Sequence, residues 1–442
     1  MEIADREMAE TKKERPAISG FGKFGFEWKE PVKLPNGIDL YVVNGGDQAV
    51  NRVDVIFRGG IFEEEKRLQS LATVSMLQHG SSKYPSGEIA ECFDYNGSWL
   101  GTRNAERNTV VSLNSLNRCF DVTLSVLHDM VYNPLFPCKE YEIYRNRCLS
   151  AYRTARERVR YLANVEMDKI FFGEDYPMAK EVLDEDILGL GIDDLHRFHD
   201  RYFIPANCSI VMSGQITGRE LSLMEETFGR DRSDGILPTL SAEIMPNPTS
   251  KHLSVVDKPD AVQSAVLMRM HAIPRAHPDY FKLRTLIVAL GGYFGSRLMS
   301  SIREEKGYTY GIWASLLGTQ SGAYVNISTE CDTAYTVPLI NEVKGEILRL
   351  REEPIPEKEL EMVKSFILSD LVKTLDTPFA MGGYVNTVLL YGVYPEYFNN
   401  HVEAVMNMTS DELLATARKY LYFDNFYTVV AGDLRHIKIN SM

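Results

Sequence analysis

Cysteine is scarce in this chain and never clustered. Cys92, Cys119, Cys138, Cys148, Cys208 and Cys331 stand apart, with no C-x-x-C and no adjacent Cys/His group. That scatter excludes a disulfide framework and a structural zinc site, and predicts reduced, mostly buried thiols of a cytosolic-type protein. Long apolar runs are also lacking, so no segment is predicted to span a membrane. Positive charge is in deficit, with a net charge of -13, which excludes nucleic acid and anionic membrane as partners. Residues 1–16 mix acids and bases without an apolar core, and so form neither a secretory signal nor an acid-poor transit peptide. Residues 1–27 are predicted to be a disordered lead-in. The expected location is cytoplasmic, with a periplasmic one open only if a signal has been trimmed.

What is present is an ordinary globular composition, 44% hydrophobic and 25% charged over 442 residues, enough for two or more cores. The chain repeats itself. Leu195, Tyr202, Asn207 and Gly214 recur as Leu413, Tyr420, Asn425 and Gly432, each 218 residues on, and Pro137, Lys139, Glu140 and Glu142 recur as Pro356, Lys358, Glu359 and Glu361 at an offset of 219. Both copies of the first set spell a capped helix ending in Tyr, a turn, and a strand closing on Gly. In the first copy, periodicity predicts strands near 38–43, 52–57, 98–102 and 108–114. It predicts helices near 64–78, 86–95, 117–132 and 138–161. Such a mixture indicates an α+β protein of two homologous halves, each an antiparallel sheet with helices on one face. Residues 28–228 and 252–442 are the halves. Residues 229–251, with three prolines and little periodicity, are the linker.

The most informative stretch is LGGYFGSRLMSSIREEKGYTYG, residues 290–311. Gly291, Gly292 and Gly295 permit a tight turn and Ser296 can cap. Leu298, Met299 and Ile302 recur at helical spacing, and Gly307 ends the helix before a strand. Arg303 and Tyr310 then stand at either end of one turn. On residue types alone they are an exposed helix arginine and a half-buried strand tyrosine. The arrangement, however, closely resembles the C-terminal half of the insulinase (pitrilysin) zinc peptidases, the mitochondrial-processing-peptidase type in particular. The resemblance extends over about residues 28–433. It implies two halves facing each other around a cleft that admits an extended peptide, and it implies that Arg303 and Tyr310 hold the substrate backbone and help stabilise an oxyanion.

Active members of that family carry H-x-x-E-H on the helix after the second strand and a Glu about 76 residues on. Two His at i and i+4 share a helix face and one zinc, and the Glu between them polarises its water. Here Met76, Leu77, Gly80 and Ser81 resemble the family's M-L-x-x-G-T and set a register that puts Leu71, Val74 and Ser75 at the His, Glu and His positions. These residues cannot hold zinc. A rival register through Ser75, Gln78 and His79 supplies one ligand and no base, and no acidic residue lies between 143 and 156. His196 and His199 superficially resemble a metal face, but their repeat partners are Leu414 and Ala417, and they are read as surface residues.

Three readings follow. In the first, the chain binds no metal, binds extended peptides, and supplies Arg303 and Tyr310 in trans to a homologous zinc-bearing subunit, as a non-catalytic member of a heteromeric peptidase. In the second it is a structural or peptide-binding protein, like the core subunits of respiratory complexes that share this fold, with no proteolytic role. In the third it is a self-sufficient zinc peptidase with ligands elsewhere. Association, with a homologue or as a homodimer, is expected throughout.

Overall fold

The computed structural model describes residues 21–231, 235–241, 244–319 and 322–437. Residues 1–20 of the expected lead-in lie outside these.

Strands β1 (Val32–Lys33), β2 (Asp39–Asn44), β3 (Val50–Arg58), β4 (Trp99–Asn104), β5 (Asn108–Leu116) and β6 (Cys208–Gly214) form one sheet in the order β1-β2-β6-β3-β5-β4. Strands β7 (Leu253–Asp257), β8 (Gln263–Ala272), β9 (Thr309–Thr319), β10 (Gly322–Asp332) and β11 (Tyr427–Gly432) form the second, in the order β7-β11-β8-β10-β9. Each sheet is antiparallel except for one parallel pair, β2 with β6 and β7 with β11. The repeat is visible in this topology, because each half returns its last strand into the sheet between earlier ones. Leu195 and Leu413, from the helices Ile192–Tyr202 and Ser410–Tyr420 that precede those last strands, are fully buried.

The central strands carry apolar residues on both faces, as strands covered on both sides do. In β3, Val53, Val55 and Phe57 enter the core of the first half, whereas Ile56 joins the core that contains Val385 and Leu390 of the second. In β11, Val430 points into the second half's core, and Tyr427, Val429 and Ala431 pack with Ala163, Met167 and Phe171 of the first. The second face of each sheet is therefore covered by the other half. Helix Val159–Phe172 lies on β8 and β11, and helix Pro378–Tyr391 lies on β2 and β6.

A polar pair fastens each crossing. Asp168 meets the buried guanidinium of Arg269 on β8. Asn386, 218 residues later, donates to the buried Asp54 Oδ2 on β3 at 2.7 Å. These two helices are the element that the sequence reading lacks. The predicted helix 138–161 instead ends at Arg156, and the chain restarts at Val159 in a new direction.

Residues 21–27 of the expected lead-in differ from that expectation. Phe26 is only 8% exposed and its N–H donates to Asn399 Oδ1 at 2.8 Å. The physical reason is composition: Phe21, Phe24 and Phe26 provide apolar anchors that residues 1–16 lack. The described parts of the linker contain no helix or strand, and Asn247 and Thr249 donate backbone N–H bonds to Phe172 and Ile170.

Candidate functional site

The helix expected over 64–78 is shorter. Residues Ile61–Glu63 form one tight turn, Gln69–Met76 the helix, and Leu77–His79 a closing turn. Leu68 takes a left-handed conformation (φ 66°), and the Glu64 carboxylate accepts from the N–H groups of Leu68 and Ser70 at 3.1 and 3.0 Å. Glu64 thus terminates the helix start by capping it from outside. Burial raises its pKa, against the hydrogen bonds from Ser70.

On that helix Val74 is buried, and Leu71 and Ser75 are half-buried. Facing Ser75 from helix Cys138–Arg156 is Tyr144, whose hydroxyl bonds with Ser75 and with Cys148. Burial pushes the Tyr144 phenol well up, and the Cys148 thiol and Tyr152 phenol likewise. Tyr144, Cys148 and Tyr152 are four apart and share one helix face, a periodicity that the sequence could have disclosed. Two phenols, one thiol and an aliphatic pair supply only one of the usual zinc donors, the Cys148 sulfur. Among the described residues, no group of three or more His, Cys, Asp or Glu could hold a metal. His79 has Glu140 at 3.6 Å through Nδ1, while its Nε2 is buried without a partner, and burial lowers its pKa.

The 290–311 stretch forms a different local structure from the one expected. Residues Val288–Gly292 and Met299–Glu305 are wide, π-type turns, which recur at functional sites. Gly291 is required by proximity rather than by a left-handed φ: a Cβ there would stand 2.6 Å from that of Ala314 on β9. Gly292 and Gly295 likewise sit close to Val288 and Tyr293 side chains. Ser296 caps nothing, since its hydroxyl is buried without a partner. Gly307 does end the helical segment, at φ +66°.

Arg303 and Tyr310 are brought together. Arg303 Nε donates to the Tyr310 carbonyl oxygen at 3.0 Å, and its guanidinium lies 4.7 Å from the centre of the exposed Phe294 ring. The Tyr310 side chain is 93% exposed. Both line a cavity of about 900 Å³ with Tyr308, Thr309, Glu330 and Tyr335. Tyr308 and Tyr335 stack at 4.8 Å, and Arg160 reaches from the first half to Glu330 at 2.8 Å. The site therefore offers an aromatic wall, a guanidinium and a solvent-facing phenol beside the open edge strand β9.

Two other expectations are corrected. His199 is buried rather than on the surface: its Nε2 bonds to the Val131 carbonyl at 2.8 Å, and its ring stacks on Phe203. His196 lies edge-on to Phe136. Of the cysteines, Cys208 and Cys331 are buried, Cys138 is exposed and the others are half-buried, all of them free. No helix among the described residues is long and apolar enough to cross a membrane.

Residues 189–366 match the family model described as "Peptidase M16 inactive domain". An uncharacterized zinc protease of Mycobacterium leprae is 22% identical over 401 residues, 88% of each chain. A non-peptidase homolog, YmxG, of Helicobacter pylori is 23% identical over 328 residues, 72% of this chain and 73% of the relative. Among solved structures, a peptidase M16 inactive domain from Pseudomonas fluorescens superposes with a TM-score of 0.82 at 21% identity, covering 91% of this chain and 98% of the other. The repeat, the two-sheet fold and these matches agree: residues 189–366 match an inactive domain of the M16 peptidases, and over most of its length the chain is similar to zinc-protease and non-peptidase homologues and shares the fold of a solved M16 inactive domain.

Proposed function

We propose that the chain is the non-catalytic subunit of a heteromeric peptidase, which binds extended peptides and presents Arg303 and Tyr310 in trans to a homologous zinc-bearing subunit. The observation that carries this reading is the exposure of the Tyr310 side chain at the rim of a 900 Å³ cavity, in one constellation with Arg303. A tyrosine left in water on an edge strand gains nothing from folding, so an external partner is its best account. A phenol and a guanidinium aimed from this rim could donate to a peptide carbonyl or to the oxyanion formed from it. Zinc in this reading belongs to the partner, because Leu71, Val74 and Ser75 offer no donors. The test is turnover by the assembled complex. Arg303→Ala and Tyr310→Phe should each lower kcat/KM, by roughly 10-fold to 1000-fold for an oxyanion-type donor, with zinc unchanged at the partner's complement. Unaltered turnover in both variants refutes the assignment.

A second reading has its own observation. The Arg303 guanidinium is already engaged, by the Tyr310 carbonyl and the Phe294 face, as it would be in a purely structural or peptide-binding member. Under that reading the complex cleaves nothing, and both substitutions leave peptide affinity intact.

A further inference from the structure

We propose that helix Glu357–Lys373 sets the position of Arg303 from behind, through two positioning residues, Glu359 and Phe366, that grip the loop on which its guanidinium rests. The inference rests on the reading of Arg303 and Tyr310 given above and names what holds that pair in place.

Glu359 and Phe366 are seven apart and share one face of the helix. Glu359 takes Arg297 in a fork: Arg297 Nε donates to Oε1 at 2.8 Å and Nη2 to Oε2 at 3.0 Å. Both side chains are mostly buried, at 16% and 22% exposed, so the pair fixes orientation as well as distance. The Phe366 ring stacks on that of Tyr293 at 5.2 Å. Phe294 lies between the two gripped residues, and the Arg303 guanidinium sits 4.7 Å from its ring centre while Nε donates to the Tyr310 carbonyl. The far end of the segment is tied as well, with Lys306 Nζ 2.8 Å from Glu342 on helix Thr336–Glu352. The wide turn at 299–305 is a less regular support than an α-helix, so the ties at its two ends decide where Arg303 points.

The repeat supplies a comparison within the chain. Glu140 is the counterpart of Glu359 at the offset of 219, and its neighbour is His79, 218 residues before Arg297. There the contact is 3.6 Å, and burial disfavours the charged histidine. Arg147, the counterpart of Phe366, lies over Tyr144 of its own helix. The two-point grip is therefore tight in the half that carries Arg303 and relaxed in the half whose metal positions hold Leu71, Val74 and Ser75. A device needed only for packing would be kept in both.

The test uses the full chain, isotope-labelled at arginine, and follows the Arg303 Nε–H resonance, identified by its loss in Arg303→Lys. Glu359→Gln, which removes the charge of the fork at constant size, should speed hydrogen exchange of that group by about threefold to tenfold, the worth of one hydrogen bond. Asp279→Asn, which removes a charged pair elsewhere in the same half, should leave it unchanged. Unchanged exchange in Glu359→Gln, or equal acceleration in Asp279→Asn, overturns the inference. Should Glu359→Gln not fold, Arg297→Lys, which keeps the charge and loses the fork, is read in the same way. In the assembled complex Glu359→Gln should lower kcat by about 10-fold to 100-fold with KM little changed, and adding it to Arg303→Ala should lower turnover no further. A loss in Arg303→Ala without one in Glu359→Gln also overturns the inference. If Arg303→Ala leaves turnover unaltered, the reading of the pair fails, and the exchange measurement still decides whether Glu359 positions Arg303.

Discussion

Tyr202 and Tyr420 occupy equivalent places in the repeat, yet their surroundings have diverged. Tyr202 is packed under Gly59, where the φ is +123° and a Cβ would stand 2.7 Å from the ring, which excludes a side chain there. Tyr420 is half-buried instead, and its hydroxyl donates to Asp279 Oδ2 at 2.7 Å, joined by Lys419 Nζ at 2.9 Å. These bonds, Tyr420's first and then Lys419's, hold the Asp279 carboxyl below the usual carboxylate range. A carboxylate with a lowered folded pKa stabilises above its unfolded pKa of about 3.9 and loses that contribution as pH falls through the folded value. Asp279→Asn should therefore cost about 1 kcal/mol at pH 7, and the difference from the parent should shrink towards zero in strong acid. Urea unfolding at both pH values measures it, and a gap independent of pH contradicts the account. At this scale the candidate site was partly legible. The proximity of Arg303 to Tyr310 could be read from their spacing. The stacking of Arg303 on Phe294 could not, because it depends on rotamers set by the packed turn.

Among the elements, most strands and the helices Ser86–Tyr95 and Phe120–Tyr132 follow the expected positions within a few residues, because their apolar periods were clear. The failures have specific causes. The π-type turns at 288–292 and 299–305 preserve roughly helical spacing, so periodicity cannot tell them from an α-helix. The break at Glu157–Arg158 carries no glycine or proline to mark it. Helix Pro378–Tyr391 shows how close docking selects a residue. A Cβ on Gly382 would be 2.8 Å from the Ser213 side chain on β6, whereas one on Gly383 would meet nothing within 4 Å. Gly382→Leu should wedge the helix from the sheet and cost about 1–3 kcal/mol. Gly383→Ala should be neutral or stabilise by up to about 1 kcal/mol. Chemical denaturation of the two variants distinguishes docking from helix propensity, and equal effects would refute the packing argument.

Over the whole molecule, the two halves are mutually completed rather than merely tethered. Removing residues 252–442 would bare Ile56, Val110 and Val211 on the second face of the first sheet and leave Asp54 without its Asn386 partner. Removing residues 28–228 would strip Val159–Phe172 from β8 and β11, bare Val429 and Ala431, and take Asp168 from Arg269. Each apolar side chain so bared forfeits roughly 1.5–3 kcal/mol of burial, and a few of them are comparable with much of a domain's stability. Either half expressed alone should therefore aggregate or remain unfolded, and co-expression of the two fragments should restore a soluble complex. Size-exclusion chromatography of single and paired fragments checks this, and a monodisperse, folded single half would overturn it.

The sequence by itself determined the two-fold repeat, the α+β class, the strand periods and the family resemblance, because each is written in local spacing or in an offset that recurs along the chain. Only the tertiary structure decided that each half lends a helix to the other's sheet, that Phe26 is held by Asn399 from 373 residues away, and that Tyr310 stands in solvent beside Arg303. Those facts depend on contacts between segments far apart in the chain. Apolar runs that serve both faces of a sheet declare that they are buried, but not by what.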